Sequence, residues 1–491
     1  MKTITCIALY CVVATAPFSH AAEASLDDSA IKAILRERIE VAKKAVGIVV
    51  GLVDERGTRV VSCGRFERDN SREVDGNTVF EIGSATKAFT GVLLQDMVER
   101  GKMKLDDPVA KYLPKSVHIP TRGGKEITLL DLATHTSALP RMPDNFAPKD
   151  EHNPYSDYTV AQLYACLSGC TLKRDIGAKY EYSNLGMGLL GHVLTLKAGK
   201  SYEALVVERI CRPLKMDSTR IELVAKLKAR LAPGHTETCE PQANWDLPTL
   251  AGAGALRSTI NDLLKFLSAN LGLTTGQSQP TALKWGELPS SPGALQDTGG
   301  RAWKLAPLTP TLRKSHAIRF RGAAPDLDMA LGWHVYHKFG GEIIWHNGKT
   351  GGYVSFMGFD PATRRGVAVL SNCANTIDDI GLHLLESQYK LAQPQPAKER
   401  KVAKINSNLY DAYAGRYELA PNVFFTIRRD GDRLMAQLTG QHAMEIFPES
   451  ETEFFYKAVD AQLTFVKNEK GEVTALILHQ NGQHPAAVKA K

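Results

Sequence analysis

The chain of 491 residues is short of several things that mark other protein classes. No stretch reaches about 18 consecutive apolar residues, so no stable membrane-spanning helix is expected. Lysine and arginine never cluster, and a net charge of +7 spread over this length leaves no footprint for nucleic acid. Cysteine is sparse at eight residues, and Cys6 and Cys11 sit near the N-terminus, leaving Cys63, Cys166, Cys170, Cys211, Cys239 and Cys373. That density excludes a disulfide-built scaffold. The closest pair, Cys166 and Cys170, lacks a second nearby Cys or His pair, which argues against zinc. A local disulfide and two free thiols both stay open there. The G-x-S-x-G elbow of α/β-hydrolases is absent, and so is any 20–50-residue repeat.

What is present is an ordinary globular composition, 43% hydrophobic and 23% charged. A single core stops growing near ~250–300 residues, so one large domain and a smaller one are expected. Lys2, the apolar run Ile4–Ala14 and the small residues near Ala21–Ala24 read as a secretory signal peptide over residues 1–22. The expected location is therefore secreted or periplasmic. Apolar spacing predicts a helix over 31–46, strands at 47–53 and 59–63, and a helix from Ala85 to Arg100. Residues 273–325 read as long loops. Four short strands within 332–370 with tight turns predict an antiparallel sheet, closed by a helix over 377–389. A Pro- and Gln-containing linker spans 391–402. Five strand-like runs then predict a small barrel or sandwich over 403–491. Residues 401–491 carry equal numbers of basic and acidic side chains, so the +7 belongs to the larger part. That predicts a bias toward anionic substrates or surfaces.

Three places carry chemistry. In Gly83-Ser84-Ala-Thr-Lys87 the hydroxyl and the amine are three positions apart, hence one helical turn apart on one face. A serine hydroxyl needs a base, and a desolvated lysine can lose its proton and act as one. A helix N-terminus there aims backbone N–H groups at a developing anion. In Tyr182-Ser-Asn184, a phenol beside a cationic Lys87 would have a lowered pKa, favouring phenolate as base. Asn184 can hold Lys87 or a substrate amide. The following Gly186-x-Gly188-x-x-Gly191 matches a dinucleotide fingerprint in letters only; without a βαβ unit, helix packing explains it better. In Trp345-His346-Asn-Gly348-Lys349-Thr-Gly-Gly352, small residues let a strand approach a substrate, with an N–H available for an oxyanion. His346 can hydrogen-bond a substrate carboxylate.

Together these motifs resemble the serine β-lactamase and penicillin-binding-protein superfamily, its class C-like branch in particular, over about residues 30–390. Gly101–Pro108, Leu132-Ala-Thr-His-Thr-Ser-Ala-Leu-Pro140 and Gly252–Thr259 support the resemblance. It implies an α+β fold: an antiparallel sheet flanked by helices with an all-helical subdomain, spanning 25–390. The tail, 403–491, resembles a lipocalin-like β-barrel. The family pattern is a triad, one residue, then Thr-Gly-Gly and an aromatic. That register puts His346-Asn347-Gly348 in the triad position, although Lys349-Thr350-Gly351 spells the familiar triad in letters. The resemblance implies Ser84 as nucleophile, with Lys87 and Tyr182 sharing the proton. Asn184, His346, Gly348 and Lys349 line the substrate, and the N–H groups of Ser84 and Lys349 form the oxyanion hole. It implies no metal or other cofactor. The substrate would be a β-lactam, a D-amino-acid peptide or an ester, and the His variant is common among peptidase and esterase members. The competing readings are a carboxylesterase of the same fold and a non-catalytic protein that binds cell-wall peptides. In a third, the C-terminal barrel has the main binding role and could cover the active-site cleft.

Overall fold

The computed structural model describes residues 26–273, 308–393 and 400–490, apart from positions 422, 440, 442, 458, 460, 481 and 482. The expected signal peptide lies outside the described residues, as do residues 394–399 of the linker and residues 274–307 of the expected loops.

Helix α1 (Asp28–Arg36) starts where the Asp27 carboxylate accepts from the Ala30 N–H at 2.7 Å. It is shorter than the sequence suggests. The chain widens into a π turn, Glu37–Val41, and the left-handed Lys43 (φ 54°) stops it. That stop lets Ala45 and Val46 enter the core.

The strands of the main sheet are β1 (Gly47–Asp54), β2 (Gly57–Gly64), β3 (Phe320–Ala324), β4 (Leu327–Met329), β5 (His334–Tyr336), β6 (Ile343–Lys349), β7 (Val354–Asp360) and β8 (Arg365–Ser371). They run in the order β2-β1-β8-β7-β6-β5-β4-β3, all neighbours antiparallel. The N-terminal hairpin thus docks on the last strand, with Ile48 opposite Ser371. Alternate residues feed two cores. Val49, Val53, Ala368 and Leu370 join one with α2 (Thr86–Glu99) and α4 (Ile260–Leu271). Ile48, Val50, Val367 and Val369 join the other with α1 and α5 (Asp378–Leu385). Burial on both faces explains why these strands read as continuous apolar runs. Strand β3, the outer strand of the β3–β4 hairpin, falls within the stretch expected to be loop. It is mostly exposed, so apolar alternation gives no signal there.

The helical subdomain is built around α3 (Asn184–Ala198) and shorter helices, including Leu129–Ala133 and Val160–Gly169. Helix α2 is buried from Thr86 through Met97, as an all-round apolar central helix must be. A Cβ added at Gly188 would sit 2.5 Å from Leu250, and one at Gly191 would sit 2.8 Å from Gly252. Helix packing accounts for these glycines.

The tail is a closed antiparallel barrel of β9 (Gly415–Ala420), β10 (Val423–Asp430), β11 (Arg433–Leu438), β12 (Met444–Pro448), β13 (Glu453–Phe455), β14 (Ala461–Lys467), β15 (Val473–Gln480) and β16 (Ala486–Lys489). Three of these strands, β9, β12 and β16, were not expected; in β9 only Tyr417 is buried, which is too little pattern to read. The interior is filled by Tyr417, Phe425, Phe454 and Phe465, with the Tyr413 and Phe465 rings stacked at 4.4 Å. Thr238 Oγ1 donates to the Lys457 carbonyl, a contact between the two parts of the chain.

Among the described residues all six cysteines are free thiols, so Cys166 and Cys170 are not bonded to each other. No described helix is long and apolar enough to cross a membrane.

Candidate active site

The short strand Phe80–Glu81 pairs with Arg257–Ser258 and delivers the chain to β6. The Ile82 carbonyl accepts from Ser355 Oγ at 2.7 Å and lies where a Cβ on Gly348 would be, 1.9 Å away. Only glycine at 348 allows that approach. Gly83 has φ 48°, and an added Cβ there would lie 2.8 Å from the Lys349 nitrogen and 3.0 Å from its oxygen. The Lys349 peptide is therefore set beside the turn Gly83–Ala85 that carries Ser84 and leads into α2.

Lys87 is fully buried on the first turn of α2. Its Nζ lies 2.9 Å from Ser84 Oγ, 2.9 Å from Asn184 Oδ1 and 2.7 Å from the Ala253 carbonyl. Burial holds this amine well below the ordinary lysine value, and the Arg141 charge pushes the same way. Asn184 is fixed as the first residue of α3, behind the Ser183 cap, with its N–H on the Arg141 carbonyl at 2.9 Å.

The Tyr182 ring centroid is 4.7 Å from Lys87 Nζ and 5.0 Å from Arg141 Cζ. The expected phenolate is overturned. Burial pushes the phenol above its ordinary value, against the smaller lowering by a hydrogen bond to Ser84 and by Arg141. The expectation required a cationic Lys87, and desolvation removes that cation.

His346 lies within β6 itself, not in a turn, and is buried. Its neighbour Asn347 points to the other face, donating to Asp378 Oδ2 at 2.6 Å. Two more imidazoles, from distant segments, join His346. His135 stacks on Tyr182 at 4.6 Å, and His334 stacks on His346 at 4.8 Å. Burial, as the largest cause, lowers the pKa of all three, His334 to about 4. They form no metal-ligating group among the described residues.

The partners fix two tautomers. His135 Nδ1 accepts from the Ser183 N–H at 3.1 Å, so its proton is on Nε2. His346 Nδ1 faces the Asn347 carbonyl at 2.6 Å, so it carries the proton and Nε2 is an acceptor. Both Nε2 atoms are buried without a partner. A neutral His346 with an acceptor Nε2 cannot donate to a carboxylate, contrary to the role the sequence suggested. The cation at this site is the exposed Arg141, which sequence reading missed because it belongs to no motif. The Lys349 side chain points to Glu237, with which it forms an ion pair.

Ser84, Lys87, Tyr182, Asn184, His346 and the Gly348–Lys349 backbone thus come together from three segments. A hydroxyl beside a desolvated amine, under a strand edge, is an arrangement for acyl transfer.

The family described as Beta-lactamase matches residues 31–385, and one described as a domain of unknown function (DUF3471) matches residues 399–488. The D-alanyl-D-alanine-carboxypeptidase/endopeptidase AmpH of Escherichia coli K12 is 34% identical over 46% of this chain. The matched stretch spans 58% of that relative's own length. Penicillin-binding protein 4* of Bacillus subtilis is 25% identical over 88% of this chain and 92% of its own. The solved β-lactamase/D-alanine carboxypeptidase of Yersinia pestis shares the fold, with a TM-score of 0.59 at 24% identity over 73% of this chain and 98% of its own. A penicillin-binding-protein homologue of Pyrococcus abyssi, described as octameric, covers 94% of this chain and 99% of its own, with a TM-score of 0.59 at 20% identity. A family match over residues 31–385, on a fold that holds Ser84 against Lys87, leaves one assignment: the chain belongs to the Beta-lactamase family of serine hydrolases, with the β-lactamase/transpeptidase-like fold.

Proposed function

We propose that the protein is a secreted hydrolase that forms an acyl-enzyme at Ser84 and cleaves the amide of a β-lactam or a D-amino-acid peptide. The observation that carries this reading is the Lys87 amine, fully buried and 2.9 Å from Ser84 Oγ. A neutral amine has two protons and one lone pair. The Asn184 and Ala253 oxygens can only accept, so they take the two protons. The lone pair is left for the Ser84 proton. Ser84 Oγ then attacks the carbonyl while Lys87 takes that proton. The N–H groups of Ser84 and Lys349 hold the oxyanion. Tyr182, a neutral phenol, passes a proton to the leaving nitrogen and is re-protonated from Lys87. The His135 and His346 ring centroids lie 4.6 and 6.4 Å from that of Tyr182, and their unpaired Nε2 atoms, one a donor and one an acceptor, are available to that relay. Water then releases the acyl group. Arg141, at the site and cationic, is the partner for a substrate carboxylate.

A second reading, carboxylesterase, is favoured by one observation: the triad position holds a neutral imidazole, which gives a substrate carboxylate no charge. A turnover panel of nitrocefin, D-alanyl peptides and short-chain esters separates the two. Under the first reading Arg141→Ala raises KM for the carboxylate-bearing substrates and leaves KM for the esters unchanged. Turnover of esters alone, with a KM indifferent to Arg141, supports the second. Acylation itself is tested by Ser84→Ala, which should abolish covalent labelling by a fluorescent penicillin or a phosphonate. Labelling that survives the substitution would remove Ser84 from the mechanism.

A further inference from the structure

Cys239 and Cys373 are 134 positions apart in sequence, yet their Sγ atoms lie 3.4 Å apart. Both side chains are buried. Cys239 sits in the turn of a hairpin formed by Gly234–His235 and Pro241–Gln242, and Cys373 follows β8. The two segments are already fastened by backbone contacts. The Ala374 N–H donates to the His235 carbonyl at 2.9 Å, and Asn375 Nδ2 donates to the Glu237 carbonyl at 2.7 Å. Cys239 has φ 63°, a conformation L residues rarely adopt. Its N–H on the Thr236 carbonyl, at 2.9 Å, closes the turn in that shape. The turn thus holds one thiol against the other, and a bond would bring the sulfurs to about 2.0 Å.

We propose that Cys239 and Cys373 are a disulfide site, oxidised by a disulfide-bearing reagent or enzyme, which clasps the 236–240 turn to the end of β8. The hydrogen bond from Cys373 favours the Cys239 thiolate and outweighs the opposing effect of burial, with smaller help from the charge and hydrogen bonding of Arg68, so Cys239 is the attacking group. Its sulfur attacks the oxidant's S–S bond, forms a mixed disulfide and expels one thiolate. Cys373 then loses its proton and attacks Cys239 Sγ, forming the new S–S bond and expelling the second thiolate. Two electrons pass to the oxidant, and both thiol protons end in solvent.

The clasp has a consequence for the site. The same turn carries Glu237, which pairs with Lys349 at the end of β6, and Thr238, which donates to the Lys457 carbonyl of the barrel. Oxidation would fix both contacts at once. None of this depends on which bond Ser84 cleaves.

The test uses the full chain, equilibrated in buffers of graded oxidised-to-reduced glutathione until labelling is constant with time. It is then denatured without reductant, alkylated and mapped by mass spectrometry. The expected result is one linked peptide pair, Cys239 with Cys373, two hydrogens lighter, while Cys63, Cys166, Cys170 and Cys211 are alkylated. Full alkylation of Cys239 and Cys373 in the most oxidising buffer, or bonding of either to another cysteine, overturns the proposal. A thermal melt is the second readout. The oxidised chain should melt about 5–10 °C above the reduced one, because the bond closes a loop of more than a hundred residues. Cys239→Ser, changed in the turn rather than at the fully buried partner, should melt alike in both buffers. Equal melting of the two states of the unsubstituted chain counts against the clasp.

Discussion

The two parts of the chain bury different chemistry. In the hydrolase part the interior holds Lys87, Glu81, Arg257, Asp262, His135, His334 and His346 alongside its apolar core. Among the described residues of the barrel, no polar or charged side chain is buried apart from tyrosines. Two of their hydroxyls reach partners, Tyr413 Oη on the Glu451 carbonyl and Tyr417 Oη on the Tyr413 carbonyl at 2.7 Å. Among the described residues, the buried atoms left without a hydrogen bond, such as His135 Nε2 and His346 Nε2, all fall in the hydrolase part. Burying an unpaired polar group costs free energy, so a fold tolerates it where chemistry requires it.

The largest effect that distinguishes the two parts is on acylation. Lys87→Ala should slow acyl-enzyme formation about 10³-fold, the scale of a lost general base, read by stopped-flow labelling with a fluorescent penicillin. In the barrel, Phe465→Ala should cost about 3–5 kcal/mol of barrel stability by urea unfolding, since a large ring leaves a cavity. Its acylation rate should be unchanged. A slowing of acylation by Phe465→Ala that survives with the barrel still folded would break the comparison.

Sequence patterns reveal one half of this contrast. Ser84 and Lys87 are legible because a single helical turn links them, and Asn184 because it lies two residues from Tyr182. The family register also puts His346 rather than Lys349 in the triad position. The remainder depends on contacts that no local spacing encodes. His334 and His135 reach Tyr182 and His346 from β5 and from the loop after Leu129–Ala133. The lowered basicity of Lys87 depends on its burial under the Ala253 carbonyl, which lies 166 residues further on. The phenolate expectation failed for that reason: charge state follows desolvation, and desolvation is tertiary. In the barrel, strands with several inward residues, such as β14, are readable, while β9 presents a single buried side chain.

Arg141 tests how far charge at the surface reaches into the hydrolase interior. Its guanidinium lowers the basicity of Lys87, second to burial. Removing it in Arg141→Ala should let Lys87 hold its proton to higher pH. Acylation requires the neutral amine, so the rising limb of acylation rate against pH should move upward. The rate well above that limb should change less than the rate below it. An unmoved limb would mean that burial alone sets the Lys87 proton.

The smallest expected effect concerns acid stability. His334 is buried, and its pKa falls to about 4 from an ordinary value near 6.5. Between those values the unfolded chain binds a proton that the folded chain refuses. The contribution of His334 is therefore fully present above about pH 6.5 and is lost as pH falls toward 4. One such proton gives a slope of at most about 1.4 kcal/mol per pH unit. His135, His316 and His346 are shifted in the same direction, so acid should loosen the hydrolase part. In the barrel the His479 pKa is also lowered by burial, but that ring is only partly covered, so solvent screens most of its effect. Urea midpoints at pH 7, 6 and 5 should therefore fall more steeply for the hydrolase part than for the barrel. His334→Gln keeps a polar side chain and removes the proton, so it should flatten that fall by no more than the single-proton slope. An unflattened fall in this variant would assign the acid sensitivity to the other buried imidazoles and take His334 out of the account.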